Sequence, residues 1–388
     1  MNKKWLLFLI ILIALGFFFF TKKNVAYETF TREASEIIEE DVPVEKKEKV
    51  LHIQTPEPLK AIYMSACAAG TPSFRKNLIS LIEETEINSI MIDVKDFSGT
   101  ISFPTELEGT NGTGCTVPDM KEFVKLLHSK DIYVIARVTV FQDPHYTSAH
   151  PNLAVKKESD GSIWKDYKGL SFIEVGAKPY WDYVVDLAYE SYDLGFDEIN
   201  FDYVRFPSDG NMKDIYYPNL GTKTKPEALE EFFIYLSEKM SEKNIPTSAD
   251  LFGMVTTNRD DLNIGQVLEL ALPHFDFIAP MVYPSHYPPN FNGWADPDDY
   301  VYETVNFAMS SAVQRVEDLK NAETTPQEVK DHLNKLQLRT WIQDFDYGGD
   351  YGAPEIREQI KATYDAGLTS WMVWDPSNRY TRAGYLEE

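Results

Sequence analysis

The chain has 388 residues, of which 43% are hydrophobic and 25% charged, enough apolar material for one large domain with a thick core and an ordinary charge content for a folded protein. A formal net charge of -24, with no basic cluster after the N-terminus, argues against nucleic acid as a partner, because that binding rests on Lys and Arg neutralising phosphates. The two cysteines, Cys67 and Cys115, have no Cys/His cluster at ligand spacing around them. No metal is therefore expected, and the pair is open to one disulfide or two buried thiols.

Residues 1–24 read as a signal anchor. Trp5 to Phe20 is an apolar run broken only by Gly16, with Lys3 and Lys4 before it and Lys22 and Lys23 after it. Bulky Phe17 to Phe20 fill the place where a cleavage site would need small residues. This predicts a single-pass membrane protein with its N-terminus inside and the rest outside the cell. The alternative is a cleaved leader and a secreted product. Residues 25–58, dominated by Glu33, Glu36, Glu39, Glu40, Asp41 and the run Glu45 to Lys49, read as a charged tether.

From residue 59 to 388 one unit repeats: a short β-branched or aromatic run, a polar end, then a helical stretch. The strands are expected around Ala61–Ser65, Ser89–Val94, Tyr133–Val140, Glu198–Tyr203, Pro246–Leu251, Phe277–Tyr283, Arg339–Asp344 and Ser370–Asp375. Helices are expected over Met120–Ser129, Trp181–Leu194, Glu227–Lys243, Tyr300–Val316 and Ala353–Ala366, with Gly195 and Gly367 as C-terminal caps. The alternation predicts an α/β fold, a (β/α)8 TIM barrel. A doubly wound open sheet is disfavoured, since no glycine-rich phosphate loop follows the first strand.

Polar residues gather at the strand ends: Asp93 and Lys95, Arg137, Asp202 and Arg205, Asp250, Tyr283, Asp344, Trp374 and Asp375. A carboxylate within a parallel strand is costly unless it is paired or faces a cleft. The segment Gly195-Phe-Asp-Glu-Ile-Asn-Phe-Asp202-Tyr-Val-Arg205-Phe-Pro resembles the fourth-strand signature of barrel glycoside hydrolases. Together with Ile92-Asp-Val-Lys-Asp96, Ala136-Arg-Val, Ala279-Pro-Met-Val-Tyr283 and Trp374-Asp-Pro, it resembles the putative glycosyl-hydrolase domain family of unknown substrate over residues 60 to 385.

That resemblance implies an enzyme that cleaves O-glycosyl bonds of a polysaccharide or oligosaccharide, without a cofactor. In the similar α-amylase and α-galactosidase clans the fourth-strand Asp is the nucleophile, a role that falls on Asp202. The amylase clan has an acid Glu on the fifth strand, where this chain departs by carrying Asp250. A chitinase motif would need a Glu at the position of Val204. Two carboxyls on neighbouring strands suit either a retaining pair, about 5–5.5 Å apart, or an inverting one, about 6.5–9.5 Å apart, and retention is the expectation. Asp93, Lys95, Arg137, Arg205, Tyr283, Asp344, Trp374 and Asp375 are the expected substrate contacts. Trp164, Trp294, Trp341 and Trp371 are further candidate sugar platforms, at least half of the aromatic candidates being expected in the core. The rival expectation is a catalytically silent, tethered barrel that binds carbohydrate. For the N-terminal segment, mass spectrometry of the mature protein should find residues 1–24 retained, whereas a start near residue 25 establishes a cleaved leader.

Overall fold

A computed structural model describes residues 50–109 and 112–387; the expected anchor and all but the end of the tether lie outside the described residues. Among the described residues no helix is long and apolar enough to cross a membrane. Eight strands form a closed parallel barrel: β1 (Lys60–Met64), β2 (Ser89–Lys95), β3 (Tyr133–Thr139), β4 (Glu198–Asp202), β5 (Thr247–Phe252), β6 (Phe277–Met281), β7 (Thr340–Gln343) and β8 (Trp371–Trp374). Each pairs with its sequence neighbours, and β8 closes on β1 through Lys60 opposite Trp371. Helices on the outside include α1 (Pro72–Glu83), α2 (Met120–His128), α3 (Lys178–Leu194), α4 (Lys225–Glu242), α5 (Leu268–Ala271), α6 (Val301–Asn321) and α7 (Ala353–Asp365). Gly195 ends α3 at φ 121°, a backbone angle that a side chain would oppose.

The period of two along each strand sorts its residues between two layers. Ile62, Ile90, Ile92, Val134, Ile199, Phe201, Ala249, Leu251, Ile342 and Val373 face the helices and join the main apolar core. Ala61, Tyr63, Met91, Tyr133, Ile135, Ala279, Trp341 and Met372 fill the barrel interior. The floor of that interior is polar. Arg339, 1% exposed, donates to Glu198, 0% exposed, at 2.7 Å, and the Tyr133 hydroxyl donates to the same carboxylate at 3.0 Å.

Beneath the floor, residues 50–58 belong to the barrel rather than to a tether, and the compact unit begins at Val50, not at residue 59. The reason lies in Asp197, whose buried carboxylate accepts from Ile53 N at 2.7 Å, from Val134 N at 2.9 Å and faces His128 Nε2 at 2.9 Å. His52 stacks on Tyr192 with ring centroids 3.8 Å apart. The other end of the domain lies on the same face, where Glu86 N donates to Leu386 O just before β2.

One feature escaped the sequence. A two-stranded antiparallel ribbon pairs Lys156–Lys157, from the β3–α3 excursion, with Ile215–Tyr216 from the β4–α4 loop. Val155, Trp164 and Phe172 give this excursion a small core of its own, against which Tyr203 packs. Of the two outcomes left open for the cysteines the structure shows the disulfide: Cys67 and Cys115 are bonded with Cα atoms 5.0 Å apart, joining the segments that follow the neighbouring strands β1 and β2. It closes a loop of sequence separation 48. Cys67→Ser with Cys115→Ser should cost about 2–4 kcal/mol in urea unfolding, mostly by freeing the unfolded chain, and unchanged stability would show that the bond does not constrain that chain.

Candidate active site

The mouth of the barrel is organised around Arg137, which β3 points inward. Its Nη1 donates to Asp93 Oδ1 on β2 at 2.5 Å, its Nη2 donates to Asp202 Oδ2 on β4, and its Nε lies 3.8 Å from Asp250 Oδ2 on β5. Register makes this possible, since Arg137 sits opposite Asp93 on one side and opposite Asn200 on the other. The second oxygen of Asp93 accepts from the Tyr63 hydroxyl of β1 at 2.5 Å. Asp250 Oδ1 accepts from Asn200 Nδ2 at 2.9 Å and from the Trp341 indole N–H at 2.8 Å. Asp202 accepts from the backbone N–H of Tyr203, which adopts φ 54°. A left-handed backbone is costly for a tyrosine, and strain of this kind persists only where packing enforces it. Here the core of the β3–α3 excursion supplies that packing.

Three carboxylates around one guanidinium cannot all ionise cheaply in a buried site. Burial and the adjacent charge of Asp202 push the Asp250 carboxyl up to about 8, against the opposing pull of Arg137, Trp341 and Asn200. Burial also raises Asp93, with Arg137 and Tyr63 acting against it. Burial disfavours the charge on Arg137, but Asp202 and Asp93 outweigh it and hold the guanidinium firmly protonated.

A cleft of about 360 Å3 opens above this cluster, with Asp202, Asp250, Arg137, Arg205, Tyr283 and Trp374 in its walls. Asp93 lies immediately behind, against Arg137 and Tyr63. Tyr63, Tyr203, Phe252, Met281, His286 and Trp341 are also in the lining. Burial lowers the His286 ring below its ordinary range, so it contributes little positive charge at neutral pH.

Besides Asp93, three expected substrate contacts are not in the cleft lining. Lys95, fully buried, lies 2.8 Å from Asp143 Oδ2 and donates to Thr139 O at 2.7 Å and to Tyr180 of α3 at 3.0 Å. The register of β2 shifts between Asp93 and Lys95, and this bulge turns Lys95 to the helix side. Asp344, one residue beyond the inward Gln343, turns to the outer face, where it accepts from Thr381 N at 2.8 Å and Tyr385 OH at 2.7 Å, and burial pushes its carboxyl up to about 6. Asp375 caps the turn after β8 by accepting from Ser377 N and Oγ at 2.5 and 2.6 Å.

Of the aromatic candidates, Trp164 and Trp371 are core residues, Trp294 stacks on Tyr300, and Trp341 positions Asp250 as well as lining the cleft. The sequence reading missed Tyr63 entirely. It shares the inward face of β1 with Ala61, and that parity was the available signal. Among the described residues no group of three or more His, Cys, Asp or Glu is arranged to hold a metal ion.

A closed parallel barrel with a buried acidic cluster at the C-terminal ends of its strands defines a (β/α)8 domain whose site is built by the βα loops. Within that class the chain belongs to the family described as "putative glycosyl hydrolase domain", whose profile matches residues 61–380. No curated protein matches it. Among solved structures it is similar to the PgaB (BpsB) glycoside hydrolase domain of Bordetella bronchiseptica, at 12% identity and a TM-score of 0.60 over 85% of this chain and 99% of that one. It is also similar to the chitobiase of Flavobacterium johnsoniae, at 11% identity and a TM-score of 0.52 over 84% of this chain and 47% of that one. A hypothetical protein from Ruminiclostridium thermocellum is 29% identical over 52% of this chain and 98% of its own, with a TM-score of 0.44.

The raised carboxyl of Asp250 has a sign that thermodynamics can test. The folded protein keeps this proton up to about pH 8, while the unfolded chain loses it near the ordinary value of 3.8. The folded state therefore binds more protons across that window, and this group makes stability fall as pH rises through it. Asp250→Asn should flatten that fall in urea unfolding measured from pH 5 to pH 8. An unchanged pH dependence would show that Asp250 ionises normally.

Proposed function

We propose that the chain is a glycoside hydrolase acting on an extracellular or cell-envelope polysaccharide, with Asp250 as the general acid and Asp202 as the nucleophile or anionic stabiliser. One observation carries this reading: two carboxyls on adjacent strands line one cleft, and burial and crowding hold the proton on one of them, Asp250. Glycosidic cleavage needs that division, one carboxyl protonated to give its hydrogen to the leaving oxygen and the other ionised to face the anomeric carbon. Asp250 is the crowded, buried member and keeps its proton at neutral pH. Asp202, in the same cleft, is ion-paired with Arg137.

Asn200 and Trp341 fix Asp250 by donating to one oxygen. In this reading its other oxygen carries the proton, because the first is occupied as an acceptor. Tyr283 and Trp374 offer aromatic faces in the same cleft for the apolar side of a sugar ring. The family description and the glycoside hydrolase named among the structural neighbours support a carbohydrate substrate. The disulfide suits an oxidising compartment, in keeping with export and with anchoring through residues 1–24.

The opposing reading, a silent barrel that binds carbohydrate, predicts no turnover with any glycan. Screening envelope and extracellular polysaccharides for release of reducing ends separates the two. On the substrate so found, Asp202→Asn should keep the fold and lower kcat by orders of magnitude. Asp250→Asn should lower it about 10²–10⁴-fold for a poor leaving group. Wild-type kcat should decline as pH rises past about 8, where Asp250 gives up its proton. Near-normal turnover in Asp202→Asn would remove the mechanism. NMR of the first-formed anomer should show retention.

A further inference from the structure

Two guanidinium groups line the cleft, and they differ in what occupies them. Arg137 is surrounded by Asp93, Asp202 and Asp250. Arg205, only 7% exposed, makes no ion pair among the described residues. Its Nη1 donates to Phe206 O at 3.0 Å and to Ser208 Oγ at 3.2 Å. The rings of Tyr203 and Phe252 lie 4.9 and 4.8 Å from its central carbon, so the group is held between the ends of β4 and β5. Aromatic faces and two neutral acceptors hold a cation in place, but they do not neutralise it. A buried charge left unpaired is costly, and natural sites keep one where a ligand supplies the partner.

The geometry also says what partner. With Nη1 engaged, Nε and Nη2 carry no hydrogen bond to the protein among the described residues. These two nitrogens form one planar edge with parallel donors, which matches the two oxygens of a carboxylate. The net charge of -24 works against densely charged sulfated or phosphorylated polymers.

We infer that Arg205 is the anion subsite of the cleft, receiving the carboxylate of an acidic sugar beside the Asp202–Asp250 pair. The inference rests on the carbohydrate reading above and narrows it to glycans with one carboxylate per recognised residue. That carboxylate has two chemical sources, C6 of a uronic acid or the lactyl ether of a muramic acid.

The test is binding rather than turnover. Calorimetric titration of the full chain carrying Asp202→Asn, which leaves the ligand intact, is run with two matched pairs. One is oligogalacturonate against its carboxyl-reduced form. The other is peptide-free peptidoglycan glycan strands against lactyl-reduced strands. In one pair the acid should bind about tenfold or more tightly than the reduced form, as expected for a charge-assisted bidentate contact. The pair that shows it identifies the source. Arg205→Gln should remove the preference, so that acid and reduced ligand bind alike, and Arg205→Lys should keep part of it. Equal affinity within both pairs overturns the proposal, and this arm needs no Arg205 variant to fold. A preference that survives Arg205→Gln overturns it as well. Acid-selective binding without hydrolysis by the wild type would sink the hydrolase reading and leave the subsite standing, whereas turnover of neutral glycans without acid selectivity would do the reverse.

Discussion

One cation set among three buried carboxylates governs the mouth of this barrel. Arg137 can compensate one negative charge fully, and its contacts go first to Asp202 and Asp93. Asp250, farther from the guanidinium at 3.8 Å, is the group that stays neutral. The asymmetry needs no special side chain at position 250. It follows from burial and from the order in which neighbouring strands approach Arg137. The rest of the architecture serves that arrangement. Tyr63 holds Asp93, Trp341 and Asn200 hold Asp250, and the strained turn at Tyr203 delivers a backbone donor to Asp202.

The floor of the same barrel solves the same problem differently. Glu198 and Arg339 are matched in number, sealed from solvent and supported by Tyr133. The contrast between a balanced pair below and an unbalanced cluster above separates a group that closes the interior from groups available for chemistry.

How much of this was legible in the sequence follows from the periodicity of strands. Eight apolar runs alternating with helices are enough to expect the barrel, and the observed strands match the expected ones to within one or two residues at most ends. Asp202, Asp250, Arg137 and Asp93 stood out because charge inside a parallel strand demands a partner. The same period assigns Asp344 and Asp375 to the outer face, one step beyond the inward Gln343 and Trp374. Proximity to a strand end obscured that parity. Lys95 could not have been placed in this way, because a bulge changes the count and leaves no mark in composition. Nor could the ribbon between residues 156–157 and 215–216, which joins two loops far apart in sequence.

The chain enters this domain under the floor, where Ile53 meets Asp197, and leaves it on the same face, where Leu386 meets Glu86. The cleft opens at the opposite end of the strands. A bead, dye or fused domain joined at either end of residues 50–387 is thus attached away from the mouth and leaves access for a polymer threading across it. The two ends also lie on a common face, which makes a circularly permuted version accessible through a modest linker, with new termini cut into an exposed loop away from the mouth.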